Sequence, residues 1–134
     1  RDEAKRDRAL ALGATDAFDS AGEWPVRCDV VVESVGPATW DSSMRALKPG
    51  GRLVVCGGTS GQEVELNLPR LFFKQYEIIG STMGGYGEFS AVVDLVAQGL
   101  DVAVDEVFPL DRYPEALERL RSGDQMGKIV LTHE

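Results

Sequence analysis

Three short apolar runs in this chain each give way to glycine: Val30–Val32 before Gly36, the stretch Arg52–Cys56 before Gly57 and Gly58, and Ile78–Ile79 before Gly84 and Gly85. Three valines in succession are apolar on both faces of a pleat, which suits a central parallel strand better than a half-buried one. Segments of helical period lie between the runs. Strand and helix therefore alternate at short spacing, and that pattern argues for a parallel sheet with helices on its faces.

The individual elements follow from local signals. The opening segment reads as a helix that stops at Gly13, and Thr15–Ser20 as a short strand after it. Pro37 stands at the first position of a helix whose Trp40, Met44 and Leu47 share one face at i, i+4 and i+7. Pro49, Gly50 and Gly51 mark where that helix ends and the chain reverses into the strand Arg52–Cys56. A short helix is expected around Pro69–Gln75 and a strand over Glu77–Ser81. An amphipathic helix carrying Phe89, Val92, Val93 and Val96 closes at Gly99. The tail repeats the alternation with strand Asp105–Leu110, helix Tyr113–Ser122 and strand Lys128–Thr132.

In open sheets of this kind, ligands lie beyond the carboxyl ends of the strands. Glycines at three such ends leave a main chain that a flat polar group can approach closely, so the matched positions point to one shared ligand.

Composition narrows the partners. With 134 residues, 43% hydrophobic and 27% charged, the chain is long enough for a globular core. Its net charge of -8 repels phosphate backbones, and Lys5, Arg6 and Arg8 are interleaved with acids as on a solvated helix face, so nucleic acid is not expected. No stretch has the roughly 18 apolar residues of a membrane span, and no membrane partner is expected. Cys28 and Cys56 lack metal-ligand spacing and the single histidine, His133, lies near the end, so no metal ligands are assigned. The cysteines read as buried free thiols of a reducing compartment, with the cytoplasm as the expected location.

The segments "RALALGATDAF", "DVVVESVG", "ALKPGGRLVVCGG", "EIIGSTMG" and "GKIVL", in this order, resemble the carboxyl-terminal half of medium-chain dehydrogenase/reductases, the family of zinc-type alcohol dehydrogenases and quinone oxidoreductases. The resemblance implies an α/β fold. Residues 1–87 would be the later part of an NAD(P)-binding Rossmann domain with a doubly wound parallel sheet, and 88–134 a linking helix and a remnant of a GroES-like catalytic domain. It implies NADP or NAD as cofactor, a small-molecule substrate, and a homodimer joined through the last Rossmann strand. It places Arg1 and Lys5 beside the adenosine ribose or its 2'-phosphate, and Ser34, Val35 and Gly36 along the cofactor. Cys56, Gly57, Gly58, Ser81, Thr82 and Met83 would surround the nicotinamide, and Lys128 would reach a cofactor phosphate. Catalytic residues and zinc dependence stay unassigned.

The first two strands and the GxGxxG turn of that domain have no counterpart here, since "GGTSG" lacks the spacing. The expectation is therefore a piece of a longer enzyme, acting on an alcohol, aldehyde, quinone or enone. The alternative is a non-catalytic nucleotide-binding or dimerisation module. A methyltransferase-like fold shares "LKPGGRLVV" but not the later segments. Glu33, ending the valine strand, is expected to hydrogen-bond a backbone group or a ribose hydroxyl and is not assigned to the site.

Overall fold

The computed structural model describes residues 2–20 and 22–133. In chain order the elements are α1 (Glu3–Ala11), β1 (Cys28–Glu33), α2 (Pro37–Ala46), β2 (Leu47–Val55), α3 (Leu68–Lys74), β3 (Glu77–Gly80), α4 (Tyr86–Ala97), β4 (Val104–Pro109), a 3-10 turn (Leu110–Arg112), α5 (Tyr113–Ser122) and β5 (Lys128–Thr132). They form two compact units, one of Phe18–Met83 and one of Asp2–Ala17 with the segment from Gly84 onward.

The first unit is a parallel sheet in the order β1-β2-β3. Rows of paired residues run across it, Val31 to Leu53 to Ile78 and Val32 to Val54 to Ile79. Pro37 starts α2 because its fixed φ suits the first helical position and its missing N–H is not needed there. Trp40 and Met44, one turn apart, close over Leu47 and the fully buried Leu53, with Val31, Val55 and Tyr76 packed around them. The helical spacing predicts the part of Trp40 and Met44 in this cluster; Leu47, expected on the same helical face, reaches it as the first residue of β2. Trp40 Nε1 donates to the Glu65 carbonyl oxygen at 3.0 Å and Arg70 to that of Met44 at 3.0 Å, so the polar tips of the covering residues are satisfied by backbone.

β2 begins five residues before the expected Arg52. Leu47 already pairs with Cys28, and the ladder resumes at Val30 and Arg52 after a bulge that absorbs Lys48–Gly51. The "KPGG" stretch is thus an irregularity inside a strand and not a loop before one.

No strand forms over Thr15–Ser20. An extended segment becomes a strand only against a hydrogen-bonded neighbour, and none of the described residues pairs with it. The other expected elements form within one or two residues of their boundaries.

In the second unit β4 and β5 pair in parallel beside α5, which buries Ala116, and β4 buries Phe108. Arg119 of α5 grips Asp105 of β4 with two hydrogen bonds of 2.9 and 3.2 Å, and the Met126 N–H donates to the same carboxylate. The pairing holds the Asp105 carboxyl below its ordinary value, with the Arg119 hydrogen bond as the main cause. Asp2 caps α1 by accepting from the Ala4 N–H. The apolar face of α4 stays open, with Phe89 69% and Val92 53% exposed.

Candidate functional site

The carboxyl ends of β1, β2 and β3 meet at one cleft of about 510 Å³, lined by Glu33, Gly36, Trp40, Val55, Cys56, Gly57, Gly58, Gly61, Gln62, Val64 and Ser81. Backbone hydrogen bonds tie the three tips together. The Cys56 N–H donates to the Glu33 carbonyl oxygen at 2.9 Å and the Ser81 N–H to that of Val55 at 2.9 Å.

The loops beyond the tips are bound to each other as well. Ser60 donates to the Val35 carbonyl through both its N–H, at 2.7 Å, and its hydroxyl, at 2.6 Å. Its hydroxyl oxygen accepts from the Ala38 N–H in the first turn of α2. The glycines make this contact feasible. A Cβ on Gly57 would lie 2.8 Å from the Ser34 carbonyl oxygen, and one on Gly58 2.6 Å from that of Gly61, both closer than atoms pack. Gly57 lets its loop lie backbone to backbone on the turn after β1, and Gly58 lets that loop close on its own Gly61.

The third glycine pair has a different part from the one its spacing implies. β3 ends at Gly80, and Gly84 and Gly85 belong to the second unit, where Gly85 precedes α4 and its N–H is held by the Glu88 carboxylate. β3 contributes Ser81 to the cleft instead.

Among the described residues Glu33 is the one charged lining side chain, and it is 2% exposed. Its Oε1 accepts from the N–H groups of Val35, at 2.7 Å, and Gly36, at 3.0 Å. Thr39 donates to both carboxylate oxygens, and Ser43, one turn further along α2, donates to Oε2. From sequence, Glu33 is expected to hydrogen-bond a backbone group or a ribose hydroxyl and is not assigned to the site. Backbone groups are indeed its partners, joined by two hydroxyls that only the helical turn of α2 brings into line.

Burial pushes the Glu33 carboxyl up, but the hydrogen bonds from Ser43, Gly36, Val35 and Thr39 outweigh it and hold the group below its ordinary value. A folded-state value below the unfolded one gives stability that is present above the unfolded pKa and is lost as pH falls through the folded one. Glu33→Ala, which strands several buried donors, is predicted to cost about 2–4 kcal/mol at neutral pH. Glu33→Gln is predicted to cost less, with its deficit shrinking below about pH 4, as read from urea midpoints measured across pH.

The same network occupies the amino-terminal end of α2. Glu33 takes the N–H groups leading into the helix and Ser60 takes that of Ala38, so this terminus is filled by the protein's own oxygens.

Of the sequence-assigned residues, Gly36, Cys56, Gly57, Gly58 and Ser81 line the cleft. Ser34 and Val35 form the adjoining turn through their carbonyls. Thr82 and Met83 follow Ser81 without lining the cleft, and Met83 is 91% exposed. Lys5 and Lys128 belong to the second unit, where the Lys5 ammonium donates to the Gly123 carbonyl oxygen and the Lys128 N–H to that of Ala103. Arg1 lies outside the described residues. Trp40, Gln62 and Val64 are lining residues that the sequence reading did not assign.

A family model described as zinc-binding dehydrogenase matches residues 12–131. The aldehyde reductase YahK of Escherichia coli is 30% identical over 135 residues, covering 96% of this chain and 39% of that protein. A cobalt- and zinc-bound thermostable alcohol dehydrogenase from Pyrobaculum aerophilum superposes with a TM-score of 0.85 at 35% identity, covering 99% of this chain and 41% of that one. The 2-octenoyl-CoA carboxylase reductase CinF, solved with NADP and 2-octenoyl-CoA, superposes at 0.71 with 31% identity, covering 77% of this chain and 23% of that one. The chain therefore spans well under half the length of these relatives. Among the described residues no three His, Cys, Asp or Glu side chains converge on a point that would hold a metal ion.

Proposed function

We propose, since the chain belongs to the zinc-binding dehydrogenase family, that it carries the nicotinamide-facing part of an NAD(P)-dependent oxidoreductase acting on an alcohol or aldehyde, or on a quinone or enone. The observation that carries this reading is the single cleft into which the tips of three parallel strands open, with main chain at Gly36, Gly57 and Gly58 along its lining. A cofactor ring fits such a lining: main-chain groups at Cys56–Gly58 and Ser81 would orient its carboxamide, while Trp40 and Val64 give an apolar wall that excludes water. When bound, the nicotinamide supplies the hydride chemistry.

Everything else asked of this chain is orientation. Holding one ring face toward the substrate fixes the direction of transfer, and no ionisable side chain is needed at that point. The tight bonding of the 57–61 loop to the turn after β1 keeps the lining in one arrangement before the cofactor arrives. The filled amino-terminal end of α2 leaves no seat there for a cofactor phosphate, which suits the ring and not the pyrophosphate at this end of the sheet.

Arg1, Lys5 and Lys128 stay in the proposal as phosphate or ribose contacts, with NADP slightly favoured over NAD through charge-assisted hydrogen bonds to its extra phosphate. β3 pairs only with β2 among the described residues, so its other edge is open to the matching strand of a second copy, and a homodimer is part of the reading. Cys28 and Cys56 are free thiols, which suits a cytoplasmic enzyme, although Cys56 is exposed and not buried as expected, and among the described residues no helix is long and apolar enough to cross a membrane.

Titrating the full-length protein with NADPH and with NADH tests the proposal. Saturable change in nicotinamide fluorescence with at least one of them is expected, and no change with either contradicts it.

A further inference from the structure

Glu33 does more in this fold than brace a turn. It lines the cleft, it is almost fully buried, and it is held ionised by N–H and O–H donors, with no lysine or arginine among the described residues contributing. Hydrogen bonds spread a carboxylate's charge but do not cancel it, so a net negative charge remains fixed beside the cleft. Near a protein interior such a charge is felt over several ångströms more strongly than in water.

Nicotinamide cofactors change charge at the ring when they react. The oxidised ring is a cation and the reduced ring is neutral, because a hydride brings two electrons and one proton. A fixed anion near the ring discriminates between the two forms, whereas shape alone hardly does.

We propose that the buried Glu33 carboxylate biases the cleft toward the oxidised, cationic form of the nicotinamide cofactor relative to the reduced form. The inference rests on the nicotinamide reading above and deepens it by naming the residue that sets the redox preference of the bound ring. Glu33 acts through its field and through the turn it holds, as a positioning residue that transfers no proton.

The test is the ratio of dissociation constants, oxidised over reduced cofactor, measured on the full-length protein for NADP and NADPH, or for NAD and NADH where it binds that pair instead. Glu33→Gln keeps the size of the side chain and can still accept from Val35 and Gly36 while donating to the Ser43 hydroxyl, so the turn is retained. Its ratio is expected to rise by about three- to tenfold over wild type. Glu33→Asp, which alters packing but keeps the charge, is expected to leave the ratio within about twofold. A merely structural role would shift both affinities together and leave the ratio unmoved in both variants. A Glu33→Gln ratio within twofold of wild type, in a protein with wild-type circular dichroism, overturns the inference.

Should Glu33→Gln not fold, Thr39→Val is read in its place. It strips a donor from both carboxylate oxygens and leaves the charge less dispersed, so the ratio is expected to fall, and an unmoved or rising ratio overturns the inference. A wild-type protein that binds neither cofactor form removes the nicotinamide reading itself, and this inference with it.

Discussion

Gly58→Ala is expected to weaken NADPH binding by about ten- to a hundredfold. The added Cβ would stand 2.6 Å from the Gly61 carbonyl oxygen, and that neighbour is backbone, which cannot swing aside as the end of a long side chain can. The turn from Gly58 to Gly61 must then open, displacing Ser60 within it and weakening the bonds that Ser60 makes to Val35 and Ala38. Since Gly57, Gly58 and Gly61 all line the cleft, the displacement falls on the surface proposed to orient the cofactor. Gly80→Ala is the control. A Cβ there meets nothing within 4 Å, and affinity is expected to stay within about twofold. Fluorescence titration of both variants checks the pair, and equal affinities would show that the loop does not shape the site.

Leu53→Ala is expected to lower stability by about 2–5 kcal/mol, the usual range for emptying a leucine-sized space in a close-packed core. Leu53 is fully buried at the centre of β2, covered by Trp40, Met44 and Leu47. The structure is not free to collapse around the gap, because α2 is pinned at its start by Glu33 and Ser60, and Trp40 is anchored to the Glu65 carbonyl. A fall in urea midpoint with an unchanged slope would confirm the size of the loss. A loss under about 1 kcal/mol would mean that the α2–β2 contact is not the core of this unit.

Much of this arrangement is legible in the sequence, because spacing carries it. Trp40 and Met44 announce the buried side of α2, and Pro37 after Gly36 marks its start, while Leu47, expected on the same helical face, is buried from β2 instead. The valine run gives β1 and its parallel pairing, but not its place: among the described residues β1 is an edge of the sheet, with Val30 and Val32 50% and 69% exposed, and the central position belongs to β2. Periodicity says nothing about partners, and the misreadings lie there. Thr15–Ser20 has the residues of a strand but no ladder to join. Leu47 joins β2 early because Cys28 stands opposite it, a pairing that no local pattern records.

The site divides in the same way. Gly36, Cys56, Gly57, Gly58 and Ser81 follow from the rule that ligands gather at strand ends, and the structure brings them to one cleft. The part played by the glycines changes, from ground left bare for a ligand to loop packed on loop. Glu33 was visible as a lone charge closing an apolar strand. Thr39 and Ser43, four residues apart on one side of α2, were the signal that would have paired it with two hydroxyls.

The most direct test of the whole account is where the nicotinamide ring rests in a crystal structure of the full-length protein grown with NADP. The account predicts the ring in the cleft beyond β1, β2 and β3, its carboxamide within hydrogen-bond distance of main-chain atoms at Cys56–Gly58 or Ser81. Cofactor density elsewhere, with that cleft empty or filled by protein side chains, would contradict it.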